Sequence, residues 1–330
     1  MDIDAKVLDD HVTSENHRLT TMLLRYPKAF VEQELGRHRT FSRNSSSGRA
    51  VPASVYIDET TGDETRAGPA EWGVNQRGMQ ASNALDVAQI EAAESIWRQA
   101  ATDAALHARR LAALGLHKQV ANALLTPFTH YNVIISGTEY MNFFGLRLDR
   151  AARPEIRILA EKMWAAYNES KPTLLYPGDW HLPLVDEQDW PIIAQYAKYL
   201  TDEQLRWLQS IDVSLDVTLH LAIYVSMARC ARISYSSFKT KKRSTPDEDL
   251  NMAFEKLVGQ QPIHASPAEH QATPDMLTAY WHQYSPTEMS LWEHKEQWAN
   301  YKGWRQYRAF IPGEACAPLP EEYEVKDGNK

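Results

Sequence analysis

The feature that most limits how this chain can fold is a short segment, residues 37–49, that is crowded with arginine and serine. It reads Arg-His-Arg-Thr-Phe-Ser-Arg-Asn-Ser-Ser-Ser-Gly-Arg. A buried core strand would not tolerate so many charges, and a solvent-facing helix would not favour so many serines, because their hydroxyls compete for backbone hydrogen bonds. Arginine side chains bind phosphate bidentately, and hydroxyls and backbone amides add donors. The segment therefore predicts a loop that binds the phosphate of a nucleotide; a basic surface loop is the structural alternative.

The composition makes this segment a local positive patch on an acidic protein. The 330 residues carry a formal net charge of -8, and 43% of them are hydrophobic. These values are ordinary for a globular chain of one large domain or two smaller ones. A general nucleic-acid-binding surface is usually basic, so the composition argues against a nucleic-acid partner and favours a small anionic ligand.

Cysteine and histidine spacing predicts neither a disulfide framework nor a metal site. Cys230 and Cys316 form no Cys-x-x-Cys pair, and a reducing compartment is the default for such a chain. His181, His220 and His282 lack metal-binding spacing and are interpreted as structural or surface residues. The first residues do not read as a signal peptide, and no stretch is apolar for long enough to span a bilayer. These observations predict a cytoplasmic protein without a membrane partner.

Periodicity predicts a single α/β domain with extensions. A strand that starts at residue 17 and breaks at Pro27 leads into a short helix, and residues 44–81 read as a long loop. Residues 82–114 predict an alanine-rich helix, with Ile96 and Leu106 on its apolar face and Gly115 as its cap. Further helices are predicted at 117–126, 154–169, 201–210, 216–230 and 247–258.

The arginine-rich segment resembles a family signature. Arg37-His38-Arg39, seven further residues and then Ser47 match the RHR-x7-S pattern of the flavin-dependent thymidylate synthases. Ser47-Gly48-Arg49 is similar to the Ser-(Gly/Gln)-Arg that ends this pattern in the family. A second block, Met141–Arg147, reads Met-Asn-Phe-Phe-Gly-Leu-Arg and resembles the family's helical (M/L)-(N/H)-F-L-x-L-R.

Two further blocks resemble the same family but stand in a different order. Ala228–Tyr235 is similar to the family's A-A-R-V-S-Y, and His264–His270 to its H-x-(T/S)-P-F-E-H. Both precede the RHR motif in familiar members and follow it here. The resemblance therefore implies a circular permutation with a new start near Asn16-His17, which proteins tolerate when the original termini lie close together. Long members of the family, many of them from phage, resemble this chain nearly end to end.

The resemblance implies an α/β fold, in which an antiparallel sheet is flanked by helices, and a single domain over residues 1–330. Residues 17–185 would carry the RHR-x7-S and MNFFGLR blocks, and residues 225–275 the two permuted blocks. Residues 276–330 would form a C-terminal extension. It also implies a homotetramer whose active sites are shared between subunits.

The implied activity is that of a methyltransferase, a flavin-dependent thymidylate synthase. It converts dUMP to dTMP with a carbon from 5,10-methylenetetrahydrofolate and a hydride from FAD that NADPH has reduced. The cofactors supply the difficult chemistry, and the protein orients them. No cysteine lies near the motif, which suits a family that does not need an attacking thiolate.

The resemblance also assigns roles to residues. Arg147 is expected to stabilise negative charge on the pyrimidine, and Ser47 to act as a hydrogen-bond donor; these two are the catalytic candidates. The implied dUMP ligands are Arg37, Ser46, Ser47, Gly48, Arg49 and Arg147. The implied FAD ligands are His38, Arg39, Asn142, Ser234, His264 and Ser266. For His264 and Ser266 the structural alternative is a helix N-cap followed by Pro267.

Several family positions differ in this chain. Ser45 stands where the family has glutamate, Ala50 where it often has tyrosine, and Asn122 where an arginine commonly binds dUMP. Candidates for a replacement phosphate ligand are His117, Lys118 and Arg308. The differences leave three alternatives open: another pyrimidine nucleotide or a hydroxymethyl product, a non-catalytic nucleotide-binding protein, and a simple flavin reductase.

Overall fold

A five-stranded sheet flanked by helices organises the computed structural model, which describes residues 2–78, 83–212, 214–233, 243–260, 263–281 and 288–314. The strands lie in the order β3-β4-β2-β1-β5. Only the short pairing of β1 with β5 is parallel; the other neighbours are antiparallel. The strands are β1 Asp4–Val12, β2 Arg18–Pro27, β3 Ser42–Ser45, β4 His130–Gly137 and β5 Thr173–Leu174.

Helices and two small sheets surround this sheet. The helices are α1 Lys28–Leu35, α2 Ala53–Thr61, α3 Val87–Ala113, α4 Lys118–Ala123, α5 Met141–Arg147, α6 Pro154–Glu169, α7 Trp190–Tyr196, α8 Asp202–Ile211, α9 Val217–Arg232 and α10 Pro246–Met252. The small sheets pair β6 Ala272–Pro274 with β9 Trp304–Gln306 and β7 Leu277–Trp281 with β8 Glu288–Trp292. Within the described ranges no helix has the length and apolar character needed to cross a bilayer.

One face of the sheet is apolar and packs against α1, α5 and α6. Alternate residues of a strand point to the same side, and the fully buried members of β2 and β4 on this side are Met22, Leu24, Tyr26, Val133 and Ile135. Helix α6 adds Ile156, Leu159, Ala160 and Met163 at helical spacing. Burying each large aliphatic side chain contributes about 1.5–3 kcal/mol. The predicted helix over 154–169 is confirmed, with Pro154 in its first turn.

The opposite face of the sheet is polar where it meets the later half of the chain. Thr21 of β2 lies directly opposite Ser136 of β4, and their hydroxyl oxygens are 2.6 Å apart. Thr21 Oγ1 is also 2.7 Å from His181 Nε2, and Ser136 Oγ is 2.8 Å from His270 Nδ1. The amide of Asn44 on β3 lies 3.0 Å from His270 Nε2. These contacts form a hydrogen-bonded chain that crosses three strands; it is called the polar network below.

Burial keeps the histidines of the polar network neutral. His181 and His270 have no exposed surface. Burial lowers the pKa of each from 6.5 to about 3. His181 and His220 are both buried, which agrees with their interpretation as structural residues, whereas His282 lies outside the described residues.

One prediction for the first part of the chain is confirmed and one is wrong. The strand expected from residue 17 to Pro27 is β2; it is preceded by β1, with which it forms a hairpin, and Asn16 lies in the hairpin turn with a φ of 66°. Residues 44–81 are not one long loop, because β3 ends at Ser45 and α2 spans residues 53–61. The arginine-rich segment therefore includes a strand. It is an edge strand whose inward side chains, Ser42 and Asn44, are buried with hydrogen-bond partners.

Helix α3 is confirmed, but its predicted buried face is wrong. Asp86 caps its first turn reciprocally with Gln89, and Gly115 follows its end with a φ of 78°. The fully buried residues are the alanines at 101, 105 and 108, and the last two pack against α2 and α4. Ile96 and Leu106 are 70% and 44% exposed. Alanine lets the neighbouring helices approach closely, so the smallest side chains face the core here.

Candidate functional site

The Arg37-His38-Arg39 motif forms a turn between α1 and β3. Leu35 before it and Phe41 after it are buried, which anchors the turn on the apolar core. Arg37 and Arg39 are exposed, and neither forms an ion pair with another residue in the described ranges. The motif therefore presents two cations to solvent from a rigid base.

The turn depends on a close approach to Gly137 at the end of β4. A β-carbon at this position would lie 2.8 Å from Cδ1 of Phe41 and 3.1 Å from the carbonyl oxygen of Thr40. Only glycine leaves room for the phenylalanine ring there. The ring of His38 lies edge-on to Phe143 of α5 at 5.0 Å, so the motif and the second block are packed together.

Arg147, at the end of α5, contacts the motif directly. Its Nη1 donates to Oε2 of Glu34 at 2.6 Å, and its Nε donates to Nε2 of His38 at 3.1 Å. Burial and the neighbouring guanidinium lower the pKa of His38. Because Nε2 accepts from Arg147, the neutral ring carries its proton on Nδ1 and can donate it to a ligand. Arg37, His38 and Arg147, to which the resemblance assigns ligand roles, thus lie close together; the roles themselves stay predictions.

A cleft of about 600 Å³ opens beside this group, and its charge suits an anion. Its lining contains three glutamates and five arginines: Glu34, Glu71, Glu155, Arg37, Arg147, Arg150, Arg153 and Arg157. Three arginines pair with the glutamates, at 2.6 Å for Arg147–Glu34, 2.9 Å for Arg153–Glu155 and 3.0 Å for Arg157–Glu71. Two cations, Arg37 and Arg150, have no such partner among the described residues. The cleft is therefore a candidate anion site with two free guanidinium groups.

Sequence reasoning missed three arginines of this cleft. Arg150, Arg153 and Arg157 follow Arg147 at intervals of three, three and four residues. Arg150 and Arg153 lie in the turn between α5 and α6, and only Arg157 lies in α6, so helical spacing does not place them together. The density of arginine, four within residues 147–157, is the signal that the sequence offers.

The Ser46–Val51 turn lies at the other end of β3. The Ser46 amide donates to the Asn132 carbonyl at 2.9 Å, and Ser46 Oγ accepts from the Asn132 amide at 3.3 Å. The carbonyl of Ser47 accepts from Val51 at 2.9 Å, and Ser47 Oγ accepts from the Arg49 amide at 3.2 Å. At about 3.3 Å per residue, the four residues of β3 separate this turn from the RHR turn by about 13 Å.

Asn122 holds this turn in place. Its buried amide nitrogen donates to the carbonyls of Gly48, at 2.9 Å, and Val51, at 3.0 Å. The residue at the family's arginine position therefore binds the protein backbone and stabilises the turn.

The three candidates for a replacement phosphate ligand all have protein partners. Lys118 donates to the carbonyl of Ala50 at 2.7 Å. His117 caps α4 by accepting from the Gln119 amide. Arg308 forms ion pairs with Glu269 and Glu314. All three side chains are therefore already engaged with protein groups.

The His264–His270 block packs directly on β3. Ser266 Oγ lies 3.2 Å from His264 Nε2 and 3.4 Å from the Asn44 amide nitrogen. The N-cap alternative is wrong, because Ser266–Glu269 is a short 3₁₀ turn without a side-chain cap. The permuted order predicts this contact between residues 264–270 and the RHR-x7-S segment. The permutation itself stays an interpretation.

Two predicted flavin ligands stand apart from these groups. Asn142 is exposed on the first turn of α5. Ser234 lies outside the described residues. The predicted site residues thus fall into three groups: the RHR turn with Arg147, the Ser46–Val51 turn, and the block that contacts Asn44.

Comparison with known proteins identifies the family. A family model for thymidylate synthase complementing protein matches residues 5–173, from β1 to β5. The matched region therefore includes β1 and begins before Asn16-His17, and it ends before the two permuted blocks. No curated protein matches the chain.

Three solved structures show weak similarity. Two are structures of the UMP/dUMP methylase PolB from Streptomyces cacaoi, and both matches cover 51% of this chain. The structure bound with 5-Br UMP is 18% identical, is covered over 89% of its own length and has a TM-score of 0.40. The structure bound with 5-Br dUMP is 19% identical, is covered over 90% and has a TM-score of 0.42. Thymidylate synthase X from Helicobacter pylori with FAD and dUMP is 17% identical, covers 46% of this chain and 67% of that chain, and has a TM-score of 0.30. Because the family model matches more than half of the 330 residues, the chain belongs to the thymidylate synthase complementing protein family.

Proposed function

We propose that the protein catalyses the FAD-dependent reductive methylation of dUMP to dTMP, with methylenetetrahydrofolate as the carbon donor and NADPH as the reductant. One observation carries the proposal. Arg147 is held between His38 and Glu34 beside a cleft that contains the free cations Arg37 and Arg150, at the RHR motif that resembles the signature of the flavin-dependent thymidylate synthases.

Arg147 would make the pyrimidine nucleophilic. Carbon 5 of uracil attacks only when negative charge on a ring oxygen is stabilised, and a pre-oriented guanidinium supplies this stabilisation. The ion pair with Glu34 fixes the direction of the guanidinium, while its remaining N–H groups can donate to the ligand. Cys230 is fully buried, and burial raises the pKa of its thiol, so this cysteine supplies no attacking thiolate.

The residues around the cleft fit a flavin dinucleotide. Arg37, Arg39 and Arg150 offer exposed cations for a pyrophosphate, and His38 offers an N–H donor for a ring heteroatom. When bound, FAD would supply the hydride. The protein's part is to hold the flavin and dUMP side by side and to orient the pyrimidine.

Each active site would be completed by two copies of the chain. The Ser46–Val51 turn is not part of the cleft lining, and β3 separates it from the RHR turn. We therefore place dUMP between this turn of one copy and Arg147 of another, in a homotetramer. Ser47 and Arg49 would bind the nucleotide there.

Tritium release from [5-³H]dUMP, with FAD, NADPH and methylenetetrahydrofolate, tests the activity. We expect turnover by the wild-type protein and a loss of kcat by about 10²–10³-fold in Arg147→Ala, the usual cost of removing a charge-stabilising donor. Arg98→Ala is the matched control, since Arg98 is 57% exposed on α3. Its activity should equal that of the wild type.

The products and the substrate requirement separate the alternatives. Mass spectrometry should identify dTMP; a hydroxymethyl product or a preference for another nucleotide would overturn the assigned reaction while leaving the family intact. NADPH oxidation that needs no nucleotide would indicate a reductase, and nucleotide binding without turnover a non-catalytic protein.

Subunit mixing tests the shared site. Arg49→Ala and Arg147→Ala should each be nearly inactive. When equal amounts of the two variants are refolded together or allowed to exchange subunits, about a quarter of the sites should become active. The reason is that a shared site needs an intact Arg49 from one copy and an intact Arg147 from another, and half of the copies carry each intact residue. No recovery on mixing, with exchange verified by a tagged subunit, would place the complete site in one copy.

A further inference from the structure

A cluster of one carboxylate and two imidazoles lies outside the residues discussed for nucleotide binding. The Nδ1 atoms of His11 and His181 are 2.8 Å apart. Oδ1 of Asp9 lies 3.4 Å from His11 Nδ1, and Oδ2 of Asp9 lies 3.5 Å from His181 Nδ1. All these ligand atoms are within 4.8 Å of one another. Asp9, His11 and His181 are called the Asp-His-His cluster below.

The fold explains why three residues so far apart in sequence meet. Asp9 and His11 are two positions apart on β1 and therefore share one face of the strand. The register of β1 against β2 shifts between Val7 and Asp9, and such an irregularity re-aims the side chains that follow it. His181 is held in place by a backbone bridge to Ala272, whose carbonyl accepts from the His181 amide at 2.8 Å.

Neighbouring groups orient the cluster as they would orient metal ligands. The Nε2 atom of His181 is 2.7 Å from Thr21 Oγ1. When Nε2–H donates to this hydroxyl, Nδ1 presents its lone pair toward Asp9 and His11, an arrangement typical of histidine ligands. The Asp9 carboxylate accepts from the Asp10 amide at 3.1 Å, which fixes its rotation.

The distances match a metal-binding geometry. In a tetrahedral site with bonds of about 2.0–2.1 Å, two ligand atoms are separated by about 3.3 Å. The distance between the two Nδ1 atoms, 2.8 Å, is shorter than this value, and the two distances from Asp9 oxygens to these nitrogens, 3.4 and 3.5 Å, are slightly longer. His181 has no exposed side-chain surface, whereas His11 and Asp9 are 16% and 20% exposed. An ion can therefore enter from the side of β1 and keep one position open to water.

We propose that Asp9, His11 and His181 bind a divalent transition-metal ion, and that Zn²⁺ suits this set of two imidazoles and one carboxylate. Binding requires His11 to carry its proton on Nε2 instead of Nδ1, and the partly exposed ring can exchange it with solvent. The ion would join β1 to the segment that carries His181, and so tie the first strand of the sheet to the later half of the chain. This inference does not depend on the proposed enzymatic activity.

Titration of chelator-treated full-length protein with Zn²⁺ alone tests the proposal. Calorimetry should give one site per chain, and Tm should rise with the free Zn²⁺ concentration, because an ion that binds only the folded state stabilises it. Co²⁺ should give the visible absorption of a site with nitrogen and oxygen ligands. Absence of stoichiometric binding to the wild type would overturn the proposal.

Variants distinguish the cluster from other zinc-binding groups. His11→Ala and Asp9→Asn should each weaken Zn²⁺ binding by at least tenfold. Asp9→Asn keeps the shape of the side chain, so Tm of this metal-free variant should stay near that of the wild type, whereas His11→Ala also removes the partner of the buried His181 Nδ1 and should lower Tm. His107→Ala is the matched control, because His107 is exposed on α3. Equal Zn²⁺ affinity in His11→Ala and the wild type, or loss of binding in His107→Ala, would show that the ion binds elsewhere.

Discussion

The two faces of the central sheet are both buried, but they are held in different ways. The face toward α6 is covered by aliphatic and aromatic side chains such as Met22, Leu24 and Ile135. The other face carries Thr21 and Ser136, which belong to the polar network. Apolar contacts do not depend on direction, whereas a buried polar group needs a hydrogen-bond partner at a definite distance and angle.

The partners of the two faces come from different parts of the chain. The apolar face is covered by helices within residues 28–169, inside the region that the family model matches. His181 and His270, which complete the polar network, lie beyond that region. The comparison indicates that the apolar face stabilises the family core and supports the candidate site, while the polar face fixes where the later half of the chain docks.

The largest expected effect is on the apolar face. Leu24→Ala removes a fully buried side chain and should lower the free energy of unfolding by about 2–5 kcal/mol, because a cavity remains. Urea unfolding measures this loss, which should be the same at pH 7.5 and 5.5. Leu24→Met is the control and should cost less than about 1.5 kcal/mol. A loss below that of the methionine variant would mean that this face is not tightly packed.

A smaller effect is expected from the polar face. Thr21→Val keeps the shape of the side chain but removes the hydroxyl that lies within hydrogen-bond distance of Ser136 and His181. Leaving buried polar atoms without partners should cost about 1–3 kcal/mol. Thr21→Ser retains the hydroxyl and should recover most of the loss. Equal stability of the valine variant and the wild type would contradict the polar network.

The smallest expected effect is a difference in acid sensitivity between the faces. Unfolded histidines bind protons below a pKa of 6.5, whereas buried His181 and His270 do so only near 3, so stability should fall as pH falls through this window. Each contributes at most about 1.4 kcal/mol per pH unit. Unfolding at pH 7.5, 6.5 and 5.5 should show a smaller slope for His270→Gln than for the wild type, and an unchanged slope for Leu24→Ala. Equal slopes for His270→Gln and the wild type would argue that His270 is not buried and neutral.

The elements that sequence predicts well are those with local signals. Pro27 marks the end of β2, Pro154 marks the start of α6, and helical spacing defines the face that α6 buries. β1 carries Asp9, Asp10 and His11 and lacks the apolar alternation of a strand, so only its pairing with β2 reveals it. β3 is short and polar, and its inward side chains find hydrogen-bond partners far away in sequence.

The candidate site also has features that the sequence signals locally and features that only the folded structure shows. The RHR-x7-S pattern and the MNFFGLR block are each a contiguous run of residues, so their resemblance to the family could be read from the sequence, and this resemblance predicted a joint site. The contacts of Arg147 with Glu34 and His38 join residues more than a hundred positions apart. The role of Asn122 in holding the Gly48 turn also depends on tertiary packing. Contacts between residues so far apart in the chain produce no local pattern, so a single sequence does not reveal them.

A crystal structure of the protein with FAD and dUMP tests the central claim most directly. The claim is that the guanidinium of Arg147 and the Ser46–Val51 turn together bind a uridylate beside a flavin. We expect the pyrimidine within hydrogen-bond distance of Arg147 and the phosphate on the turn that contains Ser47 and Arg49, with the flavin against the RHR turn. The account would be contradicted if FAD and dUMP were both bound away from the cleft and away from this turn.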